Sequence, residues 1–280
     1  MGNLWLHRYA VLVLACTWLL VIAGSLVTSN EGALSIPDWP LAYGKLIPPL
    51  EGNIRFEFAH RVLAATVALL TFLLAIWSRT ALAWAAFAAV TAQALLGGAV
   101  VKLVDPKPIA LAHACLAHLC FGLVVAVVVA QNVAQTLVSA ASRLISTLFV
   151  PLVAMLSLYA QIVLGAAVRH HLTSIVPHLV GAGISTAAAM WAGLQILMRY
   201  MENALYRRSA TALLIFTFLQ IFLGLGAYTS RIITADDPQP MPLMITFTAA
   251  HVAVGSLAFG AAVALALIVY RDTPKGLAVA

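Results

Sequence analysis

Charge is what this sequence has least of. Only 9% of its 280 residues are Asp, Glu, Lys or Arg, against roughly a quarter in an ordinary soluble domain, and that excludes a water-soluble globule. Cysteine is also scarce. The three that exist, Cys16, Cys115 and Cys120, stand inside apolar runs, so no loop disulfide, CxxC metal motif or CxxCH haem-attachment motif is available. The same composition excludes a disordered chain, a collagen-like repeat and a secreted disulfide scaffold. Dyad alternation is missing too, which argues against the wall of a membrane β-barrel. What is abundant is hydrophobic side chains, 63% of the total, gathered into long runs.

Windows of about 19 residues mark eight such runs, near 8–28, 56–77, 81–101, 109–130, 144–168, 173–198, 210–229 and 243–270. Each is long enough to cross about 30 Å of hydrocarbon, so the expected fold is an all-α membrane protein with eight transmembrane helices. If the N-terminus is inside, the inner ends carry Arg8, Arg79, Arg143, Arg199, Arg207, Arg208, Arg271 and Lys275 against only Glu202 and Asp272. The outer segments balance six basic against six acidic residues, so the net charge of +6 lies on one side. The positive-inside rule then predicts two cytoplasmic termini. Because the basic residues flank membrane ends and form no stripe with interleaved aromatics, the charge calls for no nucleic-acid partner. The start of the chain carries neither a transit peptide nor a cleavage site, which predicts a prokaryotic inner-membrane protein.

The helices are written twice. Helices 3, 5 and 7 contain Gln93-Ala-Leu-Leu-Gly97, Gln161-Ile-Val-Leu-Gly165 and Gln220-Ile-Phe-Leu-Gly224, and helix 1 has a weaker relative ending at Gly24. In helices 4 and 8, His113 and His251 are each followed eight residues later by Phe-Gly, at Phe121-Gly122 and Phe259-Gly260. Helices 2 and 6 share His-x-Val-x-Ala from His60 and from His178. Together these matches map helices 1–4 onto 5–8 and predict two tandem four-helix bundles, 1–138 and 139–280. An even number of helices per copy makes them a parallel repeat with a pseudo-two-fold axis along the membrane normal.

Helices 2, 4, 6 and 8 each carry one matched histidine, His60, His113, His178 and His251, within about two turns of the outer end. That places them at comparable depth, roughly 10 Å below the outer boundary. Polar groups in lipid should face a bundle interior, and two level histidines on neighbouring helices can ligate one haem iron from both faces. Hydrogen bonding across helices is the alternative for each of them. Zinc is less suited, because Glu57 apart no acidic or thiol group completes a four-ligand set in either bundle. His118, about 140° round the helix from His113, cannot address the same iron and is expected to bond to a neighbouring helix. His170 and His171 are expected at the interface, and His7 at the inner surface.

Glu57 breaks the symmetry, since the second half has Ile175 in the equivalent place. Three residues before His60 and inside the membrane, it reads either as an ion-pair partner of Arg61 or as a carboxylate placed beside the first site to stabilise positive charge or move a proton. The outer loop 29–54, with Ser35-Ile-Pro-Asp-Trp-Pro-Leu-Ala-Tyr-Gly44, has the proline, glycine and aromatics of an ordered cap and no counterpart in the repeat.

On these residues the chain resembles the haem A synthase family. The resemblance rests on the loop Gly32-Ala-Leu-Ser-Ile-Pro-Asp-Trp-Pro-Leu41, the Glu57-Phe-Ala-His-Arg61 motif and the histidines of helices 4, 6 and 8. It implies a haem b cofactor held by His178 and His251 in the C-terminal half. It also implies haem O as substrate beside the catalytic residues Glu57, His60 and His113, with its C8 methyl oxidised to a formyl group by successive hydroxylations. Contacts with haem O synthase and with terminal-oxidase assembly follow from the same resemblance, and homo-oligomerisation is left open. Many members carry a cysteine pair in the first outer loop and some another in the third. Residues 29–54 and 230–242 contain none here, so an electron route through a loop disulfide does not apply. A dihaem b-type electron carrier would use the same four histidines without needing Glu57 or the cap, and a transporter of a lipid-like solute would need no haem.

Overall fold

The computed structural model describes residues 3–131 and 141–272, with backbone only for 141–147. Among the described residues it holds eight helices and no strand: α1 Leu4–Ser29, α2 Ile54–Ser78, α3 Ala81–Lys102, α4 Lys107–Gln131, α5 Ala141–Arg169, α6 Ile175–Tyr200, α7 Ala204–Ile233 and α8 Pro242–Asp272. All eight are long and apolar enough to cross a membrane, as expected from the runs. The chain is a multi-pass membrane protein.

The helices outrun the apolar windows because their ends are capped by polar residues beyond the windows. The first backbone N–H groups of a helix have no partner within it, and a short side-chain acceptor supplies one. Asn3 accepts from Trp5 and Leu6, Thr80 from Ala83, and Asn203 from Leu205 and Tyr206. The Asn203 cap starts α7 six residues before its apolar window. At the other end of α2, Arg79 takes a left-handed conformation (φ 53°) that lets its N–H close on the Ala75 carbonyl.

Neighbouring helices form two closed circuits. α1, α2, α3 and α4 pack in sequence and α4 returns to α1; α5, α6, α7 and α8 do the same, with α8 returning to α5. α8 also touches α1 and α4, and α4 touches α5. The expected boundary at 138/139 lies outside the described residues.

The contact between α4 and α8 is reciprocal. The Phe121 ring lies on Gly260, where a Cβ would come within 2.7 Å of it, and the Phe259 ring lies on Gly122, at 2.9 Å from where a Cβ would be. Two copies of one Phe-Gly pattern, each filling the other's notch, are the arrangement that a two-fold axis between them generates. Lipid tails are as apolar as leucine, so close packing over small residues has to supply the attraction between such helices. Polar ties between the circuits add to it: Trp18 donates its indole N–H to the Ala253 carbonyl at 3.0 Å, and Arg169 donates to Ser29 Oγ at 3.0 Å.

The long loop between α1 and α2 defines one side of the molecule, called here the loop side. The two largest buried clusters lie toward the opposite side. One joins Leu6, Ala10, Val13, Leu74, Ala75 and Val124; the other joins Ala154, Ala192, Ile196, Tyr206, Leu213 and Leu265. All four matched histidines stand on the loop side of these clusters. The arrangement ties each bundle firmly at one end and leaves the other end to the polar residues.

Candidate functional site

Each histidine occupies a notch made by a glycine on the preceding helix. A Cβ on Gly24 would lie 3.1 Å from Cε1 of His60, and a Cβ on Gly97, Gly165 or Gly224 would lie 2.9 Å from Cε1 of His113, His178 or His251. The repeated glycine is therefore the socket of the repeated histidine, because only a residue without a side chain lets the imidazole so close to the neighbouring backbone. The glutamine four residues earlier reaches the same histidine. Gln93, Gln161 and Gln220 donate their side-chain N–H to the backbone carbonyls of His113, His178 and His251 at 3.0, 2.9 and 2.6 Å.

Depth differs from expectation in one respect. His60 and His113 stand six residues inside α2 and α4, but His178 stands three inside α6 and His251 nine inside α8. His251 is thus about two and a half turns from its helix start. The reason is that α7 and α8 extend together beyond the other helices on the loop side. Gly224 likewise lies nine residues from the end of α7, whereas Gly24 and Gly97 lie five from the ends of α1 and α3.

Hydrogen bonding across helices reaches two of these rings, with Gln93 Nε2 3.3 Å from His113 Nε2 and Gln161 Nε2 3.0 Å from His178 Nδ1, but it does not account for the rest. The Nδ1 atoms of His60, His113 and His251 are buried with no partner among the described residues, a costly state for a polar atom that calls for a reason other than packing. The rings also converge. Those of His178 and His251 lie 6.3 Å apart, centre to centre, at 83° to one another. Two imidazole nitrogens each about 2 Å from a shared metal, with the ring centres roughly 1 Å further back, would give a separation on the order of 6 Å. Among the described residues no three His, Cys, Asp or Glu gather into a set for a bare ion. Two imidazoles suffice where a porphyrin occupies the other four positions of an iron, so the donors present fit a haem.

His118 stays out of both pairs. Its Nδ1 lies 2.9 Å from the Ala114 carbonyl of its own helix, so its expected bond to another helix is corrected to one within α4. His170, just beyond α5, is half-buried, and burial holds its imidazole below the ordinary value.

Glu57 is buried, and both carboxylate oxygens are engaged. Oε1 pairs with Arg61 Nη2 at 2.6 Å and Oε2 accepts from the Ile36 backbone N–H at 2.9 Å. Arg61 in turn donates to the carbonyls of Asp38, Leu41 and Ile36 at 2.7, 3.0 and 3.2 Å. The ion-pair reading of Glu57 is therefore present in the structure, and it does more than neutralise a charge, because it fastens the loop to α2. Inside the loop, Asp38 accepts from the backbone N–H groups of Gly44 and Tyr43, and the Tyr43 hydroxyl donates to the Ser35 carbonyl. The Gly44 bond above all, with help from Tyr43 and Arg61, holds the Asp38 carboxyl below the usual aspartate range. The ordered cap expected at 29–54 is observed.

Trp39 anchors the far edge of that cap. Its indole lies on Gly98 of α3, where a Cβ would meet the ring at 2.8 Å. The expected cap included Trp39 but gave Gly98 no role; the doubled Gly97-Gly98 was the available signal, one glycine serving His113 and the next Trp39. Gly98→Val is expected to lift Trp39 off α3 and speed tryptic cleavage after the exposed Lys45 at least tenfold, the equivalent of about 1.4 kcal/mol lost from loop closure. Cleavage at the wild-type rate would show that the indole does not hold the loop.

An eight-helix membrane protein with four histidines in glycine sockets and an ordered loop fastened to α2 and α3 is the class that fold and site define. Comparison with curated proteins agrees with the resemblance read from the motifs. The chain is 42% identical over 79 residues to the protein named "Heme A synthase" of Shouchella clausii, covering 26% of this chain and 25% of that protein. It is 41% identical over 54 residues to the protein of the same name from Symbiobacterium thermophilum, covering 19% and 18%. A third protein of that name, from Alkalihalophilus pseudofirmus, is 25% identical over 122 residues, covering 40% of this chain and 41% of its own. The chain is similar to these three haem A synthases over part of its length, and the matched stretches span at most about two fifths of those relatives. No family model matches it.

Proposed function

We propose that this protein converts haem O to haem A in the membrane, oxidising the C8 methyl group to a formyl group by successive hydroxylations. The observation that carries the reading is the fourfold histidine-in-glycine socket, with one pair of rings at a spacing that suits a shared iron. In this reading residues 139–280 hold a resident haem b through His178 and His251, and residues 1–138 hold the substrate through His60 and His113. A haem b bound there supplies one-electron transfer, with its potential set by the two imidazoles and the apolar surroundings.

The rest is done by side chains of this chain. His60 and His113 fix the substrate's height in the bundle. The cap, fastened through Arg61 and Trp39, excludes water and stray oxidants from the methyl group. Glu57, the only carboxylate that the repeat places beside a histidine, stabilises positive charge developing at that carbon, and its ion pair with Arg61 keeps it aimed. The relatives share the name and, with it, haem O as the natural substrate. An apolar substrate suits delivery from the bilayer or by haem O synthase, and the product suits transfer to terminal-oxidase assembly. The distribution of Arg and Lys favours cytoplasmic termini in a prokaryotic inner membrane.

The test is chromatography of the haems extracted from protein purified out of haem O-producing cells. Haem b together with haem A or an oxidised haem O derivative is expected. Haem b alone would make the protein a dihaem electron carrier, and a colourless, folded preparation would remove haem from its function.

A further inference from the structure

Three of the four histidine sockets carry a glutamine clamp and one does not. In α3, α5 and α7 the residue four before the socket glycine is Gln93, Gln161 or Gln220, and each amide bonds to the carbonyl of the histidine opposite. Two of these amide nitrogens also lie near the ring, Gln93 Nε2 3.3 Å from His113 Nε2 and Gln161 Nε2 3.0 Å from His178 Nδ1; because an amide N–H can bond only to the ring lone pair that a metal would use, the bond that holds an iron-bound histidine is the one to its carbonyl. In α1 the corresponding residue is Leu20, which packs against the apolar cluster of Val67, Val90 and Cys120. It has no group to offer His60. Among the described residues no side chain donates to the ring or the carbonyl of His60, and a Cβ on its glycine would lie 3.1 Å away against 2.9 Å in the other three; its Nδ1, like those of His113 and His251, is buried without a partner.

We propose that Gln93, Gln161 and Gln220 are positioning residues that hold three imidazoles in place as iron ligands, and that Leu20 leaves His60 as the one ligand able to release. This rests on the haem reading above and deepens it. Partners beyond the ligands fix a histidine's orientation and commonly change metal affinity 10–100-fold. A resident cofactor must stay through every turnover, and both of its histidines are clamped. A substrate haem must enter and leave, and the site assigned to it pairs the clamped His113 with the unclamped His60. The next residue, Arg61, holds the cap, so the releasing ligand and the cap's fastening lie on the same turn of α2.

Carbon monoxide tests this, since it binds reduced haem iron only when an axial histidine lets go. Full-length protein is loaded with haem b in two backgrounds: the double variant His178→Ala/His251→Ala, which keeps only the first pair, and His60→Ala/His113→Ala, which keeps only the second. The first is expected to bind carbon monoxide at least tenfold faster. Leu20→Gln in the first background should slow binding toward the rate of the second, while Gln161→Leu in the second should speed it, both with haem remaining low-spin before gas is added. Equal rates in the two backgrounds overturn the proposal. So does a low-spin Gln161→Leu protein with an unchanged rate, which needs no folding of the Leu20→Gln variant. Failure of both backgrounds to take up low-spin haem overturns the haem reading and the proposal together, and is seen before any gas is added.

Discussion

If His178 and His251 hold a haem as proposed, alanine at either is expected to strip it from the C-terminal half. The two rings stand 6.3 Å apart on α6 and α8, each held by a glycine socket and a glutamine, so removing either leaves one imidazole and an empty axial position. Changes in the residues around a metal ligand typically cost 10–100-fold in affinity, and loss of the ligand itself should exceed that. Haem per chain, counted as the pyridine haemochrome, should fall by the amount bound in this half, and the low-spin spectrum of that haem should vanish. His118→Ala is the control. That imidazole is more buried than the four matched ones, but it bonds within its own helix, so its loss should cost some stability and leave haem content unchanged. A full complement of low-spin haem in His251→Ala would remove this pair from iron ligation and with it the assignment of the C-terminal half.

Much of this site was legible in the sequence because it repeats. The recurrence of Gln-x-x-x-Gly and of the histidines marked which positions matter, and the geometry then explains the recurrence as one socket built four times. Hydrophobic periodicity reports where a helix can cross a membrane, but it carries no information on which neighbour a given face meets. The reciprocal seating of Phe121 on Gly260 and Phe259 on Gly122 was therefore visible as a pattern and hidden as a contact. The overhang of α7 and α8 was hidden for a different reason. Helices run on past their apolar windows wherever an end is capped, as α7 does to Ile233, where the Thr234 N–H closes on the Ser230 carbonyl, and window averages ignore caps. The partners of Glu57 were half legible. Arg61 lies four residues on and so on the same face, but Ile36 comes from a loop whose path depends on Asp38 and Tyr43 bonding within the loop and on Trp39 meeting Gly98 of α3, distant in sequence.

Glu57 is expected to separate two roles according to what replaces it. Its buried carboxylate joins α2 to the cap through Arg61 and the Ile36 N–H, and breaking one side of a buried ion pair typically costs about 3–5 kcal/mol because the other charge is left without a partner. In Glu57→Ala the Arg61 guanidinium loses that partner and Ile36 its acceptor, so the cap should loosen and tryptic cleavage after Lys45 should rise. In Glu57→Gln the amide oxygen can still accept from Ile36 while the negative charge opposite Arg61 is gone, so cleavage should rise less than in Glu57→Ala. If Glu57 also stabilises positive charge at the methyl carbon, haem A output should fall in both variants by 10²-fold or more, the scale seen when one electrostatic group is removed from a water-excluded site. Haem O or its alcohol should accumulate in its place. A Glu57→Gln protein with a closed cap and undiminished haem A would confine Glu57 to fastening the loop. A closed cap with haem A lost would place the carboxylate's charge in the chemistry, because the cap would then be intact and the missing charge the remaining difference.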